Sequence, residues 1–424
     1  MIDINKYLDS LKPSATLAIN QEVQLLKSKN IDIVHFGFGQ SPFPIYKGII
    51  KALQEHADHN EYLPTLGLTA LRQQISLFLK QHQGIEMDWS HIFIGPGSKE
   101  LLYHTILILE GEFLIPKGSW VSYLPQIKTK GGSCTILDTE YANDFKLNAE
   151  TLERHCKNSP GKQKVLILNS PNNPTGAVYN NEELQSIAKV CMKHGIIVLS
   201  DEIYSQINFG ERYSASISQY YPQGTIVYGG LSKVFSAGGY RLGYVAIPEA
   251  MKGLRATFKA LFSETFSAVA APIQYAAIEA YKMNDGLLDY ISRCKNILGT
   301  IANFVFQELK KLNIECTQPQ GAFYVMIGFS HYKEQINALG IHSSEALAHH
   351  LIQSYHLALL PGTDFYFSSS DLFLRLAYVD FDGKSLLEKF LHKNEINSNH
   401  IIDNCPNITK GIGQLRAFIT TISA

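Results

Sequence analysis

The sequence lacks the features of a membrane, secreted or nucleic-acid-binding protein. No apolar run is long enough to span a bilayer, and the first residues, MIDINKYLDSLKPS, carry scattered charges where a secretory signal has an apolar core. Lysine and arginine together number 37 against 38 aspartates and glutamates, so neither a nucleic acid nor an anionic membrane surface is an expected partner. The cytoplasm is the expected location.

Cysteine is scarce, and its spacing argues against several kinds of site. The six cysteines form no CxxC pair, which disfavours both a zinc site and a disulfide framework. The 15 histidines show no HExxH or similar spacing, so no metal site is predicted. No GxGxxG motif follows the first strand, which disfavours a nicotinamide dehydrogenase.

What is present is a chain of 424 residues, 45% of them hydrophobic, which is long enough for two domains. Apolar runs at 165–169, 196–200, 225–229 and 243–247 alternate with helical patterns, one of which ends at Gly195. Such alternation is typical of an α/β fold with a mostly parallel sheet covered on both faces.

The pattern changes after about residue 290. A helix, the strand GAFYVMI, a second helix and the strand LFLRLAYV predict a smaller α+β domain. We predict a large domain over residues 46–290 and a small domain formed by residues 1–45 and 291–424. The polar and then weakly amphipathic tail from about Asn394 has no predicted role.

Polar side chains follow the predicted strands. Asn173, Asp201 and Lys233 each come just after a strand end. In open α/β sheets, ligands bind in the crevice beyond the carboxyl ends of the strands. We therefore expect these three side chains to face one crevice.

Lys233 lies in GGLSKVFSAGGYRLGY (229–244), among small residues. A lone lysine is usually a solvated surface charge. A lysine that attacks a carbonyl needs a neutral fraction, which burial and a nearby cation supply by lowering its pKa. Arg241, eight positions later, is a candidate for that cation and for binding a phosphate, and the small residues would let a planar ligand approach the backbone.

Two further segments hold candidate polar groups. Asn173 in NSPNNPTGAVY (169–179) is suited to donate to a phenolic oxygen, although the segment is also a plain turn pattern. Asp201 in LSDEIYSQI (199–207) leaves a buried strand and needs a cationic partner, for which a protonated pyridine nitrogen is suitable. The alternative is that Asp201 caps a following helix, with Tyr204 one turn later.

These segments together resemble one enzyme family. PNNPTG (171–176), SDEIY (200–204), SKVFSAGGYRLGY (232–244) and, more weakly, QGAFYVMI and LRLAY are similar to the motifs of the class I/II aminotransferases, which are pyridoxal 5′-phosphate (PLP) enzymes of fold type I. The resemblance spans most of the chain. It implies a homodimeric PLP-dependent transferase that moves the amino group of an L-amino acid to a 2-oxo acid by a ping-pong mechanism.

The resemblance also implies roles for individual residues. Lys233 would carry the cofactor as a Schiff base and move the substrate proton, Asp201 would pair with the pyridine nitrogen, and Tyr204 would join Asn173 at the cofactor 3′-oxygen. Lys233, Asp201 and Tyr204 form the predicted catalytic set. The other predicted cofactor-binding residues are Gly97, Ser98, Lys99, Ser232 and Arg241, of which Ser98 follows a glycine turn that opens a helix.

Four more residues complete the predicted site. Trp120 matches the aromatic residue that stacks on the cofactor ring, with a core role or Tyr123 as alternatives. Tyr62 matches a tyrosine that reaches the phosphate of the neighbouring subunit, and an ordinary loop tyrosine is the alternative. The substrate α-carboxylate is expected to bind Arg375 in FLRLAYV, which matches the arginine that the family uses for this group. Backbone groups of Gly39 in FGFGQSPFP (36–44) and the side chain of Asn173 are expected near the same carboxylate. The alternative for Arg375 is a structural role.

The sequence differs from the family motifs at three positions along the chain, and it does not decide which PLP-dependent reaction takes place. Gly229 and Gly230 stand where many relatives have a hydroxyl residue that binds phosphate, and VDFDG (379–383) and FGFGQSPFP differ from the commoner forms. The same cofactor serves C–S or β-lyases and enzymes like aminocyclopropane carboxylate synthase. A non-catalytic protein with this fold is disfavoured because the candidate residues are all present. Aromatic, aliphatic, sulfur-containing and acidic substrates all remain open.

Overall fold

The computed structural model describes residues 2–9, 11–390 and 397–424. Within these ranges the helices are α1 (Ala15–Ser28), α2 (Lys47–Glu55), α3 (Thr69–Gln83), α4 (Ser98–Ile108), α5 (Tyr123–Thr129), α6 (Ala149–Asn158), α7 (Asn181–His194), α8 (Lys252–Ser263), α9 (Ala271–Tyr281), α10 (Asp285–Lys311), α11 (Lys333–Ala338), α12 (Ser344–Tyr355), α13 (Gly383–Lys389), α14 (Ser398–Asn404) and α15 (Pro406–Ser423). The strands are β1 (Val34–His35), β2 (Ile92–Gly95), β3 (Glu112–Pro116), β4 (Ser133–Leu137), β5 (Lys164–Asn169), β6 (Ile197–Asp201), β7 (Thr225–Gly230), β8 (Gly243–Ala246), β9 (Glu315–Cys316), β10 (Tyr324–Gly328), β11 (Leu357–Ala358), β12 (Leu360–Pro361) and β13 (Phe373–Ala377).

The main sheet has seven strands in the order β2-β8-β7-β6-β5-β3-β4. Strands β4, β3, β5, β6 and β7 run parallel to one another, and β8 is antiparallel to both β7 and β2. Strands β5 and β7 are buried along their whole length, which explains their continuous apolar sequences. The strands predicted at 165–169, 196–200, 225–229 and 243–247 correspond to β5, β6, β7 and β8.

The pairing register of β5, β6 and β7 brings the carboxyl ends of these strands together. Asn169 at the end of β5 pairs with Asp201 at the end of β6, and Asp201 pairs in turn with Tyr228 of β7. Parallel strands end at the same edge of a sheet, so the segments that follow them start side by side. Helix α7 returns the chain to this sheet between a capping box at Asn180 and a left-handed Gly195 with φ of 62°.

A second sheet contains four antiparallel strands in the order β12-β13-β10-β9. Met326 of β10 pairs with Arg375 of β13, while the short strand β1 pairs in parallel with β11. One cluster of buried apolar side chains includes residues from both sheets, such as Ile94 of β2 and Val325 of β10. The division into domains at residues 45/46 and 290/291 stays a prediction, and its second boundary would fall inside the continuous helix α10.

The C-terminal tail forms helices that pack on the rest of the chain. Residues 391–396 lie outside the described residues, but α14 and α15 both contact α10, and α15 buries Leu415 and Phe418. Asp380, in the divergent segment 379–383, accepts the backbone N–H of His35 at 2.7 Å and the side-chain amide of Asn407 at 3.2 Å. In the described ranges, no helix has the length and apolar character required to cross a bilayer.

Candidate active site

A cavity of about 440 Å³ lies at the carboxyl edge of the main sheet. A larger surface depression, of about 840 Å³ beside residues 208–215, contains none of the predicted site residues. The predicted residues that line the cavity are Gly39, Ser98, Lys99, Trp120, Asn173, Asp201, Tyr204, Ser232, Lys233, Arg241 and Arg375. The fold therefore brings together side chains from both sheets and from the N-terminal loop.

Lys233 follows β7 and is partly buried at the cavity wall. Its Nζ donates to the carbonyl oxygen of Gly39 at 2.6 Å. Burial, followed by the positive charge of Arg375, lowers the pKa of Lys233 to about 8, although the carboxylate of Asp201 opposes this shift. An appreciable fraction of the amine is therefore neutral near neutral pH, as a nucleophile or a base requires.

Asp201 is 4% exposed and ends β6. Its Oδ2 accepts a hydrogen bond from the Tyr123 hydroxyl at 2.7 Å, and burial raises the pKa of Asp201 to about 6 despite this bond. A turn follows Asp201, and Tyr204 lies in this turn. Asp201 therefore caps no α-helix, which was the alternative interpretation of this segment. The buried carboxylate faces the cavity and is suited to a cationic ligand.

Arg375 of β13 is 1% exposed and reaches from the second sheet to Asn173, which follows β5 of the main sheet. Its Nη1 donates to Asn173 Oδ1 at 3.1 Å and its Nη2 donates to Gly37 O at 2.6 Å, while its Nε has no hydrogen-bond partner among the described residues. The contact with Asn173 occupies the amide oxygen and leaves the amide N–H groups as donors. A buried guanidinium bonded only to neutral oxygens is suited to bind an anion.

The start of α4 and Arg241 are suited to a second anion. Gly97 precedes α4 with φ of 96°, and a Cβ atom there would lie 2.6 Å from Nη2 of Arg241. Ser98 is the first residue of α4, whose free N–H groups and partial positive charge attract anions. Arg241 is held by its own contact to Gly238 O at 2.9 Å. The φ of Gly97 is one that residues with a side chain rarely adopt, which favours glycine at this position.

Three further aromatic residues named from the sequence differ in placement. Trp120 lines the cavity, with its ring 5.3 Å from that of Tyr123 in an edge-on arrangement. Tyr123 is fully buried and its hydroxyl is bonded to Asp201, so it does not line the cavity. Tyr62 also lies outside the cavity and is 97% exposed.

Sequence reasoning missed two contacts of the predicted residues, since it considered Tyr123 only for stacking on the cofactor ring and gave Tyr324 no role. Tyr123 bonds to Asp201, 78 positions away, and Tyr324 bonds to Tyr204, 120 positions away. No local pattern marks either contact, because each depends on how distant segments pack. Gly229 stands where many relatives have a hydroxyl residue. A side chain would not fit here, since a Cβ atom would lie 2.4 Å from the Tyr244 hydroxyl.

Comparisons with known proteins agree with this arrangement. A family model described as aminotransferase class I and II matches residues 31–382. An aspartate aminotransferase of Geobacillus stearothermophilus is 33% identical over 85% of this chain and 91% of its own length. A probable aspartate/prephenate aminotransferase of Aquifex aeolicus is 33% identical over 87% of this chain and 92% of its own length.

Solved structures agree in fold. The Thermus thermophilus aspartate aminotransferase with maleate superimposes with a TM-score of 0.84 at 23% identity, covering 98% of this chain and 99% of that one. The predicted fold type I and α/β class are confirmed, and amino-group transfer is favoured over the lyase and synthase alternatives. The chain belongs to the aminotransferase class I and II family.

Proposed function

We propose that the cavity binds PLP and that the chain uses it to move the amino group of an L-amino acid to a 2-oxo acid in two half-reactions. The observation that carries the proposal is the convergence of Lys233, Asp201 and the anion-binding wall at Arg241 in one cavity. PLP has an aldehyde, a pyridine nitrogen and a phosphate, and each has a matching group here. When bound, PLP supplies an electron sink for the substrate α-carbon.

The residues fit the cofactor at each of its polar groups. The Gly97–Arg241 contact and the start of α4 at Ser98 form a cradle for the phosphate, with Ser232 beside it. Asp201 would accept a hydrogen bond from the protonated pyridine nitrogen. Burial raises the pKa of Asp201, and a nearby cation stabilises its ionised form. The remaining contacts would come from the Trp120 ring, the Asn173 amide and the Tyr204 hydroxyl.

Lys233 would perform the proton transfers. With a pKa near 8 its amine takes up a proton readily and returns it readily near neutral pH. Its donation to Gly39 O fixes the amine at the cavity wall. Lys233 would accept the α-proton of the amino acid as a base and deliver it as an acid to the cofactor carbon C4′, on the other side of the amino nitrogen, which is the proton movement that transamination requires.

Arg375 would hold the substrate α-carboxylate. Its Nε is buried and unpartnered among the described residues, and its other nitrogens contact Asn173 and Gly37, so its planar group is rigid. A rigid fork matches the two oxygens of a carboxylate. This placement would set the α-carbon beside Lys233, because both residues contact the same loop at Gly37 and Gly39.

We further propose an acidic amino acid such as aspartate as donor. The relatives named above are aspartate or aspartate/prephenate aminotransferases. Lys99 lines the cavity 5.4 Å from the Trp120 ring centroid, and Ser14 and Thr16 add hydroxyl groups to the lining. Lys99, predicted from sequence to contact the cofactor, is on this proposal the partner of a second carboxylate.

The Lys99→Met variant tests the donor. We expect kcat/KM for aspartate to fall about 10- to 100-fold, because a charge-assisted hydrogen bond contributes about 1.5–3 kcal/mol. With phenylalanine as donor, the same variant should stay within about threefold of the parent. Lys282→Met, which removes an exposed lysine paired with Glu279, is the matched control. Equal losses with both donors would contradict the assignment.

We also propose that the active unit is a homodimer. Tyr62 is an almost fully exposed aromatic residue on a loop outside its own cavity, which suits a residue that contacts a second subunit. A mixture of inactive Tyr62→Ala and Lys233→Ala subunits should regain activity on exchange, because one site of each hybrid would carry neither substitution. Sedimentation as a monomer at assay concentration would contradict the proposal.

The reaction itself is tested with the purified chain, PLP, aspartate and 2-oxoglutarate. We expect stoichiometric formation of oxaloacetate and glutamate, and parallel lines in double-reciprocal plots, because the first product leaves before the second substrate binds and the enzyme alternates between two forms. Release of ammonia and pyruvate from one amino acid with no acceptor present would instead show a lyase.

A further inference from the structure

Tyr324 has no role in the assignments above, although it lines the active-site cavity. It opens β10, is 1% exposed and lines the same cavity as Lys233 and Arg375. Its hydroxyl lies 2.9 Å from the Tyr204 hydroxyl and 3.4 Å from Gly39 O, the carbonyl that also accepts Lys233 Nζ at 2.6 Å. One phenol therefore contacts two segments that hold predicted site residues.

The ring of Tyr324 is fixed on two sides. The guanidinium carbon of Arg375 lies 4.7 Å from its centroid. On another side the backbone of Gly39 approaches so closely that a Cβ atom there would lie 2.1 Å from the Tyr324 hydroxyl oxygen. The hydroxyl therefore has little freedom to move, and a change to phenylalanine removes it while leaving the ring contact with Arg375 in place.

The hydrogen atoms of the two phenols can be assigned from their partners. Tyr204 is expected to donate to the cofactor 3′-oxygen, so its own oxygen then accepts from another group. Either phenol can donate across their 2.9 Å contact, and Tyr324 can supply the hydrogen by turning its O–H away from Gly39 O, its longer contact at 3.4 Å. A phenol that accepts a hydrogen bond donates more strongly, because chains of hydrogen bonds polarise one another.

We propose that Tyr324 is a positioning residue: it donates to Tyr204, orients that hydroxyl towards the cofactor 3′-oxygen and strengthens its donation. The proposal rests on the proposed function, since it requires PLP in this cavity with its 3′-oxygen near Tyr204. Tyr324 acts through Tyr204 and is not assigned contact with the reacting atoms.

The expected consequence is spectroscopic. Donation from Tyr204 stabilises negative charge on the 3′-oxygen and so favours proton loss from the lysine-bound chromophore. Removing Tyr204's hydroxyl should raise the midpoint pH of the chromophore titration by about 1 to 2 units, as expected for a hydrogen bond to a charged group. Cooperativity of about 10–30% predicts a rise of roughly 0.1–0.6 unit for Tyr324→Phe.

A four-variant absorbance titration of the PLP-loaded protein tests this. Tyr324→Phe should raise the midpoint in the parent and have no effect in the Tyr204→Phe background, because the relay then lacks its second member. Tyr378→Phe is the matched control: Tyr378 is fully buried near β13, and its hydroxyl has no hydrogen-bond partner among the described residues. Its midpoint should equal that of the parent.

Three results of this titration would overturn the relay from Tyr324 through Tyr204. A normal midpoint in Tyr324→Phe with a raised one in Tyr204→Phe would do so and leave the cofactor site intact. Equal rises from Tyr324→Phe in both backgrounds would also overturn it, because the effect would bypass Tyr204. A normal midpoint in Tyr204→Phe would overturn both the relay and the proposed role of Tyr204. Succinate affinity, which reports on Arg375, should stay within about twofold in Tyr324→Phe.

Discussion

Lys233→Ala is expected to lower the rate of transamination by roughly 10⁴-fold or more, because one side chain supplies both the nucleophile and the proton shuttle. The protein should still fold, since Lys233 makes one hydrogen bond among the described residues, to Gly39 O, and lies at a cavity wall. The measurement is single-turnover conversion of aspartate on PLP-loaded protein, together with thermal unfolding of the same sample.

Lys295→Ala is the matched control for Lys233. Burial lowers the pKa of Lys295 as well, and its amine also donates to a backbone carbonyl, that of Glu211, but it lies outside the active-site cavity. Its activity should remain within about twofold of the parent. A loss of less than about tenfold in Lys233→Ala would show that another group performs the proton transfers.

Asp201→Asn should have the second-largest effect, a loss of about 10²–10³-fold in turnover. An amide cannot balance a pyridinium charge, so the electron sink is weakened while Lys233 and the anion-binding wall are unchanged. The Tyr123 hydroxyl can still donate to the amide oxygen, which preserves the local geometry. Turnover within about tenfold of the parent would show that the carboxylate is not the partner of the ring nitrogen.

The same variant should stabilise the cofactor-free protein. Burial raises the pKa of Asp201 from 3.8 to about 6 in the folded state. Between these values the folded state keeps a proton that the unfolded chain has lost, so stability falls as the pH rises through this window. Above pH 6 the ionised carboxylate costs roughly 3 kcal/mol, and Asp201→Asn removes this cost.

Urea unfolding of the cofactor-free protein checks the sign of this effect. The gain in stability of Asp201→Asn over the parent should be small near pH 4 and should reach its full value above about pH 6.5. A gain that does not change with pH would contradict the raised pKa of Asp201.

The sheet and most of the cavity could be predicted because their signals are local. The central strands are continuous apolar runs, and Asn173, Asp201 and Lys233 follow strand ends, where a parallel sheet gathers its functional groups. The resemblance then supplied residues with no local signal of their own, such as Trp120 and Arg375, both of which line the cavity.

What could not be predicted depends on contacts between distant segments. The bonds from Tyr123 to Asp201 and from Tyr324 to Tyr204 join residues whose separation leaves no periodicity or motif. The turn after Asp201 was open to interpretation as a helix, because the sequence that follows is compatible with both. The C-terminal helices had no predicted role because weak amphipathicity does not identify the surface that a helix will cover.

The central claim is that Lys233 is the residue that binds PLP covalently. The most direct measurement is borohydride reduction of the PLP-loaded protein, followed by proteolysis and mass spectrometry of the labelled peptide. We predict one pyridoxyl-phosphate group per chain, on the peptide that contains Lys233, and none in Lys233→Ala. Labelling of a different lysine, or no labelling of the parent, would contradict the account.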